Sequence, residues 1–158
     1  MMENLRPNRD EYYKAMLDVV STRGTCLRAK QGALILREHR VIVTQYNGAL
    51  PGQPHCTTET CNATEPCKNS VHAEEGAIVF AAKKGIPLEG TTMWCTTMPC
   101  PTCARLIVQA GIKELIYTKT YRLTEGIDIL TRSGVKVRQY GGPHIQDSTN
   151  GQRNKQTH

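Results

Sequence analysis

His72-Ala73-Glu74-Glu75-Gly76-Ala77-Ile78-Val79-Phe80-Ala81-Ala82-Lys83-Lys84-Gly85 reads as a helix that opens on a histidine and a carboxylate and closes on a basic turn with a glycine cap. Thr91-Thr92-Met93-Trp94-Cys95-Thr96-Thr97-Met98 follows with the composition of a strand. Pro99-Cys100-Pro101-Thr102-Cys103 then opens a second helix through Ala104-Arg105-Leu106-Ile107-Val108-Gln109-Ala110-Gly111, with Pro101 suited to the first helical position. This order places two helix starts where they face one point. One start carries His72 and Glu74, the other Cys100 and Cys103. An imidazole and two thiolates fill three positions of a tetrahedral zinc ion and leave the fourth for water, the arrangement of a catalytic rather than a closed structural site. Water so placed ionises near neutral pH, and Glu74, which is not needed as a ligand, is positioned to carry its proton. A purely structural zinc site would leave Glu74 unexplained.

The rest of the chain supplies a frame for that site. With 158 residues the chain is long enough for one well-cored domain. No run of about 18 apolar residues and no secretory leader pattern is visible, so a soluble cytoplasmic protein without a membrane partner is expected, in the host cytoplasm if viral. Seven cysteines are better explained by metal ligation than by disulfides in that compartment. The net charge of +6 is dispersed, and one Trp, six Tyr and one Phe are few for a base-stacking platform, so no nucleic acid is expected as partner. A nucleotide-sized anion is enough to account for the charge.

Residues 7–23 carry a helical pattern that starts at Pro7-Asn8, presents Tyr12, Met16, Val19 and Val20 on one face and stops at Gly24. Two strands, 32–36 and 41–45, are joined by the turn Arg37-Glu38-His39-Arg40 and should pair antiparallel. Residues 48–71, with Pro51, Pro54, Pro66 and three cysteines, follow neither period and read as a long irregular excursion. A strand at 114–118, a short helix near 125–133 and a last strand at 135–140 complete a mixed sheet with helices on both faces. The domain is placed at 1–141, with 142–158 as a flexible tail rich in polar residues.

H-x-E with P-C-x-x-C is the signature of zinc-dependent nucleobase deaminases. Together with Thr25-Cys26-Leu27-Arg28 before Gly32-Ala33, Tyr46-Asn47-Gly48 followed by Pro51 and Cys56, the cysteine-bearing loop ahead of His72, and Tyr121, these motifs make the chain resemble the deoxycytidylate (dCMP) deaminase family, including its bacteriophage members, over about residues 8–141. The resemblance implies a three-layer α/β/α cytidine deaminase-like sandwich around a five-stranded mixed sheet, assembled as a homo-hexamer. It implies conversion of dCMP to dUMP with release of ammonia, Asn47 at the deoxyribose 3′-hydroxyl and Tyr121 near the substrate phosphate. It also implies activation by dCTP and inhibition by dTTP, each bound with Mg2+ at a subunit interface to which Phe80 and Lys83 contribute. Core packing for Phe80 and a helix-dipole partner for Lys83 are the alternatives.

Cys26, Cys56, Cys61 and Cys67 remain once the catalytic pair and the strand residue Cys95 are set aside. Four thiolates make a closed site, and some phage relatives carry a structural zinc with cysteines at the positions of Cys26 and Cys56, so a second zinc is a separate expectation. His55 is an alternative ligand, and free thiols are the alternative to any metal there. One departure stands out. The family carries a bulky apolar residue and asparagine after HAE, where this chain has Glu75-Gly76, and a helical glycine suggests close approach or a vacated volume. The departure bears on effector response and specificity. Competing readings are therefore a deaminase of dCTP or a modified deoxycytidylate, and a non-catalytic zinc-binding accessory protein.

Overall fold

The computed structural model describes residues 5–61 and 67–145. Its elements run α1 (Arg9–Ser21), β1 (Gly32–Arg37), β2 (Arg40–Tyr46), β3 (Gly48–Ala49), β4 (Ser70–Val71), α2 (Ala73–Lys84), β5 (Thr92–Thr97), α3 (Pro101–Gln109), β6 (Glu114–Lys119), α4 (Glu125–Arg132), β7 (Lys136–Gln139) and β8 (His144–Ile145). The main sheet has the order β2-β1-β5-β6-β7-β8. Its β5, β6 and β7 are parallel, while β2, β1 and β8 join antiparallel.

Alternation along the strands divides the core into two layers. Ala33, Ile35, Met93, Cys95, Leu115 and Tyr117 point to the face covered by α2, α3 and α4, where they meet Ala73, Ala77, Ala104, Ile107, Ile127 and Leu130. Leu34, Leu36, Trp94 and Ile116 point to the opposite face and pack on Tyr13 and Leu17 of α1. This is the expected three-layer sandwich, built on six strands rather than five.

The sixth strand comes from residues assigned to the tail. Gly141, at φ 79°, turns the chain back so that His144 pairs with Arg138 and Ile145 with Val137. His144 Nε2 lies 2.9 Å from Glu114 Oε1 and adds a side-chain tie. A two-residue strand has no period to read in a sequence, and the glycines ahead of it mask it. The rest of the expected tail, 146–158, and residues 62–66 of the excursion, including Pro66, lie outside the described residues. Within the excursion, β3 and β4 form a short antiparallel ribbon, Gly48 with Val71 and Ala49 with Ser70, that leads straight into His72.

The face of α1 differs from the expectation. Tyr13 and Leu17 are buried, whereas Tyr12 and Val19 are exposed. Met16 and Val20 flank the buried pair. Sequence periodicity admits either aromatic as the anchor; the choice is made by the Tyr13 hydroxyl, which donates to His39 O at 2.7 Å, and by its ring against Trp94 at 5.8 Å. The same helix starts in a capping box, with Glu11 N–H donating to Asn8 Oδ1 and Asn8 N–H to Glu11 Oε2. Asn8→Ala should cost about 1 kcal/mol, read as a shift in the urea midpoint at constant slope. The hairpin β1–β2 turns, as expected, at Glu38 and His39, both at positive φ, which matches the twist of two paired strands.

Candidate metal centre

His72 is the N-cap residue of α2 and makes no capping hydrogen bond with its side chain, which leaves the ring free to face α3. Cys100 is the N-cap of α3; its Sγ accepts from Cys103 N–H at 3.4 Å, and Pro101 occupies the first turn without a wasted donor. Both helices begin beyond the carboxyl end of the sheet's parallel strands, where an open α/β sheet presents its crevice. Their N-terminal dipoles favour thiolate at this point.

The His72 Nδ1 atom lies 3.6 Å from Cys100 Sγ and 3.4 Å from Cys103 Sγ. All three donor atoms fall within 4.8 Å of one another. Tetrahedral zinc, with Zn–N of about 2.0–2.1 Å and Zn–S of about 2.3 Å, requires an N···S separation of about 3.5 Å. The three side chains fit that ion. Their electrostatics fit it as well. Hydrogen bonding from Cys103, then from His72, draws the Cys100 thiol down to about 3, and the same sulfur contact together with burial drives Cys103 upward. His72 is raised to about 9, first by its bond to Cys100. A thiolate facing an imidazolium is the proton-loaded form of a cation site, in which a metal takes the place of the protons.

Glu74 is in the first turn of α2 and 8 % exposed. Burial raises its carboxyl to about 7, against the opposing pull of a backbone hydrogen bond and of His72. Cys95 lies buried close enough to Glu74 to be pushed up by it, after burial itself. The carboxyl therefore shares its buried setting with Cys95 of β5 and with the His72 side of α2. An acid tuned near neutrality beside three residues that could hold a metal ion can pass a proton in both directions.

The model of the cytidine and deoxycytidylate deaminase zinc-binding region matches residues 7–119. The chain belongs to that family. This deaminase is 35 % identical over 132 residues to the ComE operon protein 2 of Bacillus subtilis, covering 82 % of the chain and 70 % of that protein. It is 34 % identical to the deoxycytidylate deaminase of Saccharomyces cerevisiae over 86 % of the chain, and spans only 46 % of that longer enzyme. Among solved structures it resembles the dCMP deaminase of cyanophage S-TIM5 in complex with dCMP and dUMP, with TM-score 0.76 and 31 % identity over 86 % of this chain and 99 % of that one.

The remaining expected site residues lie on other segments or farther along α2. Asn47 is 6 % exposed; its Oδ1 accepts from Gln31 N–H and its Nδ2 donates to Ala29 O, each at 2.8 Å, so it clamps the loop between α1 and β1. Tyr121 is exposed after β6, with the Arg122 guanidinium 5.8 Å from its ring centroid. Phe80 is 40 % exposed on α2, which removes core packing as its explanation, and Lys83 is exposed in the last turn. Cys26, Cys56, Cys61 and Cys67 gather around Cys56, whose thiol is pushed up by burial and then by Cys67, Cys26 and Cys61. Among the described residues, no three of those four thiols reach the mutual spacing of His72, Cys100 and Cys103.

Sequence reasoning missed four residues around the site. Gly126 of α4 backs onto Pro99, Gln45 of β2 backs onto Gly76, and the Thr25 and Ser70 hydroxyl oxygens are buried without a hydrogen-bond partner. Ser70 lies in β4 of the ribbon leading to His72, and the side chain of Thr25, from the connection between α1 and β1, abuts Gly48 of that ribbon. None of these carries a local sequence signal, because each contact joins segments remote in the chain.

Proposed function

We propose that this chain hydrolytically deaminates dCMP to dUMP and ammonia with one zinc held by His72, Cys100 and Cys103. The observation that carries the reading is the three-ligand geometry with a buried, unliganded Glu74 beside it. The likeness to a phage dCMP deaminase complexed with dCMP and dUMP supports the substrate. Zinc, when bound, supplies the acidity that brings water to a pKa of about 7.

Glu74 does the proton work. It takes a proton from the attacking water and gives it to ring N3, then takes the remaining proton of the hydroxyl added at C4 and delivers it to the amine, so that the C4–N bond breaks, ammonia leaves and the C4 carbonyl forms. Its burial makes a neutral carboxylic acid accessible at neutral pH, so donation is as feasible as acceptance. Asn47 retains one amide hydrogen and one lone pair beyond its two loop contacts, suited to the sugar 3′-hydroxyl. Tyr121, with the adjacent Arg122, is the side for the 5′-phosphate.

Regulation by dCTP as activator and dTTP as inhibitor, with Mg2+ and a homo-hexamer, is the companion proposal. It is supported by the exposure of Phe80 and Lys83 on one side of α2. A second, structural zinc on Cys26, Cys56, Cys61 and Cys67 is supported by the mutual influence of those thiols, three of which lie in a long loop that needs an anchor. Metal analysis of the purified protein should then give two zinc ions per chain; a value of one would remove the second site. The domain limit is proposed at about residue 145, where β8 ends.

The substrate test is ammonia release with dCMP, dCTP and CMP in parallel, each with and without Mg2+ plus dCTP or dTTP. Preferential turnover of dCMP that responds to the triphosphates is the expected result. Preference for dCTP would favour the altered-specificity reading, for which Gly76 is the motive. Release of ammonia from no nucleotide by a zinc-loaded sample would leave the accessory-protein reading.

A further inference from the structure

The glycine two residues after Glu74 has a counterpart across the helix–sheet interface. A Cβ on Gly76 would lie 2.8 Å from Gln45 Nε2, 3.0 Å from Gln45 Cγ and 3.2 Å from Gln45 Cδ. The nearest neighbours of that vacated position all belong to one side chain. Glycine inside a helix is less favourable than alanine by about 1 kcal/mol, so the helix gives up stability to admit Gln45. The Gly76 N–H donates to His72 O at 2.9 Å, closing the turn that contains both the metal ligand and the acid. On the other side, Gln45 sits on edge strand β2 in register with Ala33, two residues beyond Val43, which packs in the core with Ala73 and Ala77. Asn47 follows two residues later and clamps the loop before β1.

We propose that Gln45 is a positioning residue for the deamination: its side chain, seated in the notch at Gly76, sets how closely the His72–Gly76 turn approaches β2. The inference rests on the reading of Glu74 as the proton carrier. It acts through shape. The stem atoms Cγ and Cδ, and not only the mobile amide end, stand closer to that position than ordinary van der Waals contact, so a methyl on residue 76 obliges either the Gln45 side chain to give by a few tenths of an ångström or the helix and strand to part.

The test is a double-substitution cycle in the full-length, zinc-loaded protein, with Gly76→Ala, Gln45→Ala and the pair together, and Gln45→Met as the shape-preserving variant. The readouts are kcat and KM for dCMP, zinc retained after dialysis against a weak chelator, and melting temperature. Gly76→Ala should lower kcat about tenfold with KM within about twofold, despite the better helix former. The added Gln45→Ala should bring kcat back to within about threefold of the parent, because it removes the displaced stem. Gln45→Met should retain more activity than Gln45→Ala. Equal effects of Gly76→Ala in the Gln45 and Ala backgrounds, in kcat and in melting temperature alike, would overturn the proposal. Should the parent release no ammonia from any nucleotide, the enzymatic reading fails by itself; zinc retention and melting temperature then still decide whether residues 45 and 76 are coupled.

Discussion

Glu74→Gln should slow ammonia release by about a thousandfold or more while leaving the metal in place. General acid–base groups contribute about 10²–10⁴-fold when the proton transfer lies on the reaction path, and Glu74 is asked to make more than one transfer per turnover. Glutamine keeps the volume and the helical position but neither accepts nor delivers a proton. No solvent substitute is at hand, because the side chain is buried over Cys95. Metal is retained because the ligand set is His72, Cys100 and Cys103, whose spacing the carboxylate does not hold. Zinc analysis and single-turnover product formation on the same sample check both halves of the expectation. Activity within tenfold of the parent would show that another group moves the proton.

The same substitution has a signature in stability, read on chelator-stripped protein. The folded carboxyl is raised from 4.5 to about 7 by burial. A group whose folded pKa is raised binds its proton more tightly in the folded state, so its favourable contribution is complete below the unfolded value and is lost as pH rises through the folded one. Glu74→Gln has no such loss. Its melting temperature should therefore gain on that of the parent as pH climbs from about 4.5 through about 7, and level off above.

Gly126→Ala should damage the centre from behind, without touching a ligand. A Cβ at Gly126 would collide with the Pro99 carbonyl oxygen and stand 3.2 Å from its carbonyl carbon and 3.4 Å from the Cys100 carbonyl carbon. All three are backbone atoms, which cannot swing aside as a side chain does. Either α4 withdraws from α3 or the Pro99–Cys100 segment moves, and Cys100 is both ligand and N-cap. Overpacking of this kind costs about 1–3 kcal/mol, and a shift of about 1 Å at a reacting centre costs about 100-fold in rate. The expected result is about 100-fold lower kcat, faster loss of zinc to chelator and a lower melting temperature. Glu125→Ala, on the exposed neighbour in the same turn, is the control and should lie within about 0.5 kcal/mol of the parent. Unchanged zinc retention in Gly126→Ala would mean that the loop accommodates the methyl without moving Cys100.

Much of the fold was legible before any coordinates. Pro101 at the start of α3, Gly85 at the end of α2, Asn8 at the start of α1 and the Glu38-His39 turn are all local devices, and each stands where the sequence placed it. The helix faces were less legible. Tyr12 and Tyr13 are adjacent and chemically alike, and only Trp94 and the His39 carbonyl, both far along the chain, decide which turns inward. The strand His144–Ile145 is shorter than any period and exists because β7 offers it an edge. Phe80 on α2 had two plausible surroundings, and the packing of small residues Ala73, Ala77 and Ala81 against the sheet left it outside.

The chemistry proposed for the centre was legible in the sequence alone: the choice of His72, Cys100 and Cys103 as candidate ligands, with Glu74 beside them, follows from residue types at two helix starts, which are properties of a few consecutive residues. Tertiary structure decided what holds that chemistry in register. The Nδ1–Sγ separations of 3.4 and 3.6 Å, the burial that lifts Glu74 to about 7, the seat of Gln45 on Gly76 and the backing of Pro99 by Gly126 each depend on how one element lies against another. Such contacts join residues that are distant in the chain, and no local pattern encodes a distance that only packing sets.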